Sequence, residues 1–323
     1  MIKPHLVFNL ILTSLVLCLV VLWSKNLSLF KDQPNLDHRV LAYQQVTVLN
    51  ATDIPVLKLD SELAEQLKTS FLASISAQSL YVMDSDSGSV LLEKNSNLVK
   101  APASITKLLT ALVVRENYYL DQELVVKDEY LTEGNTVGFL SGETLTVENL
   151  LKALLIQSAN DAAFILANNY PEGYSAFVAK MNQLASQLNL NNTYFTNPAG
   201  LDGEYHQSTA RDIAILTKAV MSDEFLKQIV ATKQTVISDQ KLLYQHHLYT
   251  TNALLTTRND VVGVKTGTTQ AAGEALVTQV ERDGRKIVLV VLTSQDRYQD
   301  TNLIIDWIFA HYSWEKADQL ISQ

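Results

Sequence analysis

Cysteine is nearly absent: Cys18 is the single one in 323 residues, so the chain closes no internal disulfide and offers no cysteine set for a structural zinc. Clustered lysine and arginine are absent too. With 25 basic against 34 acidic residues the formal net charge is −9, which excludes the basic footprint that captures nucleic acid. Internal repeats and low-complexity tracts are missing, which removes solenoid and biased-linker architectures. Missing as well is an A-x-A-like cleavage pattern after the apolar run at residues 6–23, which only Asn9, Thr13 and Ser14 interrupt. That run has the minimum length for a bilayer-spanning helix. Without small residues at a cleavage site it reads as a retained anchor rather than a signal peptide. Leu17 is too bulky for the residue preceding a lipidated cysteine, so Cys18 is apolar filler. Lys3 and His5 before the run, against Lys25 and Lys31 after it, leave its orientation undecided on charge alone.

What is present is apolar material for a full core, 47% of the chain against 18% charged residues. Residues 25–74 are a mixed linker or stalk, with an expected strand at 44–49 and a helix capped by Asp60 whose apolar face is Leu63, Leu67 and Phe71. The sequence leaves open whether this stretch packs on the main domain. Residues 80–84 and 89–94 flank the turn signal Asp86-Ser87-Gly88, a hairpin. Helices are expected from Ser104 through 105–116, over 147–156 behind the cap-like Thr146, along the face Phe177, Met181, Leu184 and Leu188, and over 209–221 with Ser208 as cap. Strands return at 261–265, 275–281 and 286–293, where the unbroken run 287–292 suits a strand buried on both faces. A closing helix is expected near 302–310. Strands from both chain ends around a helical centre imply an α+β domain over residues 75–315 with one sheet, and a tail at 316–323.

Three short motifs occur in order: Ser104-Ile105-Thr106-Lys107, Ser158-Ala159-Asn160 and Lys265-Thr266-Gly267. At a helix start the i, i+3 spacing puts Ser104 and Lys107 on one face. A serine hydroxyl needs a base, and a lysine serves only if burial or a neighbouring cation lowers its pKa. Lys265, if near, is such a cation. Ser158 and Asn160 fall in a loop between helices, the serine able to relay a proton and the asparagine offering a donor and an acceptor to an amide. Gly267 lets strand backbone lie close to a ligand, and Lys265 with the Thr266 and Thr268 hydroxyls suits a carboxylate.

The ordered set resembles that of penicillin-binding proteins and class A β-lactamases. The flanks carry the resemblance further: Tyr81-Val82-Met83-Asp84, Pro102-Ala103-Ser104, Leu154-Leu155-Ile156-Gln157-Ser158-Ala159-Asn160-Asp161, Asn197-Pro198-Ala199-Gly200-Leu201, Ser208-Thr209-Ala210-Arg211-Asp212 and Gly263-Val264-Lys265-Thr266-Gly267-Thr268-Thr269. Across residues 75–312 the chain looks like the low-molecular-mass penicillin-binding proteins, the serine D-Ala-D-Ala carboxypeptidases. The resemblance implies a β-lactamase/DD-peptidase fold with an antiparallel sheet. It implies Ser104 as acylated nucleophile, Lys107 as base, Ser158 as proton relay and Asn160 as substrate-orienting. Lys265, Thr266, Gly267, Thr268 and Arg211 would bind the substrate, and the backbone N–H groups of Ser104 and Thr268 would form the oxyanion hole.

It further implies no metal or other cofactor, peptidoglycan stem peptides ending in D-Ala-D-Ala as substrate, and β-lactams as covalent inhibitors. The membrane would be reached through residues 1–24, placing the domain on the extracytoplasmic side unless the segment is cleaved and the protein secreted. A DD-endopeptidase acting on crosslinks, or a silent wall-binding or β-lactam-sensing domain, are the alternatives. The chain departs from the family at Asn135-Thr136, where Gly-Ser is frequent, and at Glu274-Ala275. Arg211 and Asp212 also suit a simple helix-start role. His246-His247 lacks a third ligand at metal spacing and reads as polar surface. Glu143 and Glu148 precede the second motif, where a β-lactamase's acid-base glutamate would come after it, and Glu148 reads as a helix-start charge.

Overall fold

A computed structural model describes residues 53–58 and 61–316. The apolar run, the expected strand at 44–49 and the Asp60 cap lie outside these. Among the described residues no helix is long and apolar enough to cross a membrane.

The chain enters through β1 (Asp53–Leu57) and α1 (Ser61–Ser74), then forms β2 (Ser79–Asp84) and β3 (Val90–Lys94). The hairpin turn between β2 and β3 is set by chemistry as expected: the Asp84 carboxylate accepts from Ser87 N and Oγ at 2.7 and 2.6 Å, and Gly88 takes φ +74°. A 3-10 turn (Ala103–Thr106) runs into α2 (Lys107–Asn117). A short ribbon of β4 (Glu123–Val125) and β5 (Thr144–Thr146) precedes α3 (Val147–Ile156), α4 (Asn160–Asn168), α5 (Tyr174–Gln187), α6 (Ala210–Ser222) and α7 (Glu224–Val230). A second ribbon, β6 (Gln234–Ser238) with β7 (Gln245–Tyr249), and the single turn α8 (Leu254–Thr257) lead to β8 (Val261–Thr269), β9 (Gly273–Arg282) and β10 (Arg285–Ser294). The chain closes with α9 (Arg297–His311) and β11 (Tyr312–Lys316), which pairs back antiparallel on β1.

One antiparallel five-stranded sheet, in the order β3-β2-β10-β9-β8, organises the rest. Its strands come from both ends of the described chain, the α+β arrangement expected. The β9–β10 hairpin closes through Asp283 and Gly284, both at positive φ (52° and 75°), the mirror-image turn that matches strand twist. Side-chain alternation then splits the molecule into layers. On β10, Val288, Val290 and Leu292 face a core filled by α2 through α7, while Ile287, Leu289 and Val291 face a second core under α9 and α1. All six are buried, as the run 287–292 predicts.

Three expectations need correcting. On α1, Leu63 and Leu67 are exposed; the helix buries Ala64 and lays Phe71 and Leu72 on the second core, with Phe71 stacked on Trp307 at 5.0 Å. Helix α6 is capped by Thr209, whose Oγ1 accepts from Asp212 N at 3.1 Å, while the Ser208 hydroxyl is engaged with Thr193 Oγ1 at 2.8 Å. The closing helix starts at Arg297, five residues before the expected start near Asn302, because Asp296 caps the N–H groups of Tyr298 and Gln299 at 3.0 and 2.9 Å. Thr146 does cap α3, accepting from Asn149 N at 3.2 Å.

Because α1 is tied to α9 through the Phe71–Trp307 stack, Phe71→Ala should lower unfolding stability by about 2 kcal/mol. Urea denaturation should remain a single transition; a separate early transition for α1 would mean it is not part of the domain.

Candidate active site

The site forms where the first helix of the helical layer meets the edge strand β8. Ser104 stands on the 3-10 turn rather than on α2 itself, and this tightens the expected geometry. With three residues per turn, positions i and i+3 eclipse, and Lys107 Nζ lies 2.9 Å from Ser104 Oγ. Gly267 allows the approach of β8: a Cβ there would sit 3.1 Å from Pro102 O and from the Ala103 side chain. Gly200 serves the same purpose on the other side. At φ +86°, a Cβ would fall 1.9 Å from Ala103 O, so the 197–201 loop closes on the serine turn only with glycine there. Asn197 shapes that loop, its Oδ1 accepting from the N–H groups of Ala199, Gly200 and Leu201 at 3.1, 2.7 and 3.0 Å.

Lys107 is fully buried. Its Nζ lies 2.8 Å from Asn160 Oδ1 and 2.6 Å from Ala199 O, besides the serine. Burial first, and the charge of Lys265 second, hold its pKa well below the usual lysine value, against an opposing pull from Asp161. The neutral amine has two N–H groups and one lone pair. Asn160 Oδ1 and Ala199 O only accept, so they take the two N–H groups, and the lone pair is left facing the Ser104 hydroxyl. Ser104 itself is half-buried, within reach of an incoming molecule.

Lys265, also buried, donates to Ser158 Oγ at 2.6 Å and to Thr266 O at 3.1 Å. Burial, with Arg297 adding, lowers its pKa to about 7. Ser158 takes φ 63°, a left-handed conformation that a serine rarely adopts. It is held by the neighbouring loop: Asn135 Nδ2 donates to Gln157 O at 2.5 Å and Ser158 O at 3.1 Å, and Asn135 O accepts from Asn160 N at 2.7 Å. The departure at Asn135 therefore buttresses the second motif. Asp161 fixes the same loop by accepting from Val137 N and Gly138 N at 3.1 and 2.9 Å.

The structure thus brings together Ser104, Lys107, Ser158, Asn160, Lys265, Thr266, Gly267 and Thr268. Arg211 is not brought to them. It is exposed in the first turn of α6, its backbone N–H on Ser96 O and its charge beside Tyr81 of β2, three strands or roughly 14 Å from β8. Arg297 stands at β8 in its place, donating to Gly267 O and Thr268 Oγ1 at 2.8 Å each. Its sequence signal was weak, since it sits just past a strand with no motif around it. Glu274, the other departure, accepts from Arg297 N at 3.1 Å and lies opposite Thr268 on β9. Thr251, 2.6 Å from Thr266 Oγ1, was also illegible in sequence. Elsewhere, Glu148 pairs with Lys152 at 2.6 Å across one helical turn. His246 is half-buried rather than surface, with Glu143 at 2.8 Å and Phe139 edge-on at 4.9 Å.

A family model described as D-alanyl-D-alanine carboxypeptidase (Peptidase_S11) matches residues 65–296. The chain belongs to this family. The D-alanyl-D-alanine carboxypeptidases DacF of Bacillus subtilis and DacC of Escherichia coli are each 33% identical to it, over 257 and 255 residues, or 76% and 74% of this chain. The match spans 65% of DacF and 62% of DacC, less than two thirds of either. The Streptomyces K15 DD-transpeptidase structure superposes with a TM-score of 0.70 at 28% identity, covering 73% of this chain and 98% of that one. The fold is that of the Peptidase_S11 DD-peptidases.

Behind the site, buried His206 joins the serine turn to the 194–207 segment. Thr196 N donates to its Nδ1 at 3.0 Å, so Nε2 carries the proton toward Thr106 Oγ1 at 2.8 Å. Burial lowers its pKa to about 4. Between pH 6.5 and 4 the unfolded chain therefore takes up a proton that the folded one refuses, and stability falls on acidification by about 3 kcal/mol in total. Urea midpoints measured across this range should show that slope, and His206→Gln should flatten it. An unchanged slope would mean that His206 is not buried neutral.

Proposed function

We propose that the chain is a serine-type D-alanyl-D-alanine carboxypeptidase that removes the terminal D-Ala from peptidoglycan stem peptides. The observation that carries this is the buried Lys107 amine, 2.9 Å from Ser104 Oγ and held by the acceptors Asn160 Oδ1 and Ala199 O at 2.8 and 2.6 Å. Family membership supplies the substrate class.

In this reading Lys107 takes the hydroxyl proton as Ser104 Oγ attacks the carbonyl of the penultimate D-Ala. The developing oxyanion faces the backbone N–H groups of Ser104 and Thr268, an arrangement the close approach of β8 at Gly267 supports. The substrate's terminal carboxylate lies against Lys265, Thr266 and Thr268, with Arg297 adding positive field. Asn160, whose Nδ2 is 3.4 Å from Glu133 O, orients the peptide. The proton passes to the leaving D-Ala nitrogen through Ser158, bonded to Lys265 Nζ. Water then cleaves the acyl-enzyme, and Ser104 is regenerated. A β-lactam amide enters as the same electrophile, and its ring-opened product stays on the serine. The apolar run at residues 6–23 anchors the protein in the cytoplasmic membrane with its amino terminus inside and the domain facing the wall.

Mass spectrometry after incubation with a penicillin should find the adduct on Ser104, and a D-Ala-D-Ala pentapeptide should release free D-Ala. Ser104→Ala and Lys107→Ala should each lower both by about 10³-fold or more; robust labelling of the lysine variant would refute it as the base. Release of product from a crosslinked dimer in preference to the pentapeptide would make the protein an endopeptidase.

The pH dependence has a definite sign. Acylation needs neutral Lys107, so its rate falls on the acid side through that group's lowered pKa. It also needs protonated Lys265 for the carboxylate, so it falls again above about pH 7 in the free enzyme. Lys265→Gln removes a charge that depresses Lys107, so the acid limb of penicillin acylation should move to higher pH. An acid limb that stays in place would separate the two lysines.

A further inference from the structure

Away from the serine, a cavity of about 220 Å³ opens between the helical layer and the far end of the sheet. Three lysines reach it from three elements: Lys218 on α6, Lys227 on α7 and Lys286 at the start of β10. All three are half-buried. Ser85 and Asp86, from the β2–β3 turn, complete the wall. The turn is tied to the strand by Ser85 N donating to Lys286 O at 2.8 Å.

The charge here runs against the chain as a whole, whose net charge is −9. Among the residues that line the cavity, one, Asp86, carries a carboxylate. Glu281 is held at the cavity's edge by Lys227 at 3.2 Å and by Gln279 Nε2 at 2.8 Å. The Lys218 and Lys286 ammonium groups have no ion-pair or hydrogen-bond partner among the described residues. Ser85 Oγ is solvent-inaccessible and likewise has no hydrogen-bond partner among them. Cations gathered around one cavity repel one another, a cost that an entering anion removes. Cations and a hydroxyl arriving from several directions suit a tetrahedral oxyanion better than a planar carboxylate, and lysine binds phosphate as a point charge.

We propose that this cavity is a binding site for a phosphate group carried by a larger molecule, separate from the acylation site. Gln279 stands four positions along β9 from Ala275, the partner of Gly267. A strand rises about 3.3 Å per residue, so the occupant lies roughly 13 Å from the β8 backbone beside Ser104. It does not enter the reaction. Bound there, it tethers the domain to a phosphate-bearing polymer or surface while the serine stays free.

The test uses the full chain and a double variant, Lys218→Gln with Lys286→Gln, which leaves the catalytic groups untouched. Unaltered penicillin labelling of Ser104 shows that the variant is folded. Glycerol phosphate, against chloride at equal ionic strength, should raise the melting temperature of the wild-type chain saturably by about 2–4 °C. The rise should vanish in the variant. Vesicles of phosphatidylglycerol, against phosphatidylcholine, separate the sources. Variant-sensitive pelleting with the anionic vesicles, without a response to glycerol phosphate, assigns the site to a lipid headgroup. A response to soluble glycerol phosphate assigns it to a free or polymer-borne phosphate. If neither probe gives a response, or if wild type and variant respond alike, the proposal is overturned.

Discussion

Two buried lysine side chains share one cleft, and that single arrangement constrains the rest of the site. Two buried ammonium groups so close could not both stay charged without several kcal/mol of desolvation and repulsion. The fold resolves the conflict by asymmetry. Lys107 is surrounded by acceptors that leave an amine's lone pair free, while Lys265, with a pKa near 7, remains the group able to hold a charge at the open side. In the proposed mechanism a base and an electrostatic anchor thus arise from one residue type by environment alone.

The scaffold is arranged to keep those acceptors still. Ala199 O is placed by a loop that Asn197 organises and that only glycine at position 200 lets close on the serine turn. Asn160 begins α4 after a strained Ser158; Asn135 holds that turn from the neighbouring loop, and Asp161 on α4 holds the loop in return. On the other side, β8 is an edge strand, so its outer face is free to meet the turn and a ligand while its inner edge is fixed by β9. The same sheet carries the lysine-lined cavity at its far end, where a bound phosphate would give the domain a contact with its surroundings independent of the chemistry.

Much of this was legible in the sequence because the decisive signals are local. The hairpin at Asp84–Gly88, the Thr146 cap and the unbroken run 287–292 each depend on neighbouring residues, and the three motifs carry their own spacing. What the sequence hid depends on distant contacts. Arg297 and Thr251 reach the site only because the start of α9, packed on β9 and β10, and the segment before α8 bring these side chains to β8. Arg211, within a matching motif, lies beside β2 rather than β8 because α6 starts there. Leu63 and Leu67 have helical spacing, yet the helix rolls to stack Phe71 on Trp307. Glu143 finds His246 across more than a hundred residues, a pairing no spacing rule supplies.

The division of charge between the two lysines is the claim on which the chemistry rests, and it is directly measurable. Site-resolved NMR of lysine side chains, with Lys107→Arg and Lys265→Arg used for assignment, tracks each Nζ through its titration. Lys107 should titrate far below the ordinary lysine value of about 10.4, and Lys265 near 7. Two lysines titrating together near 10.4 in the folded protein would contradict the account.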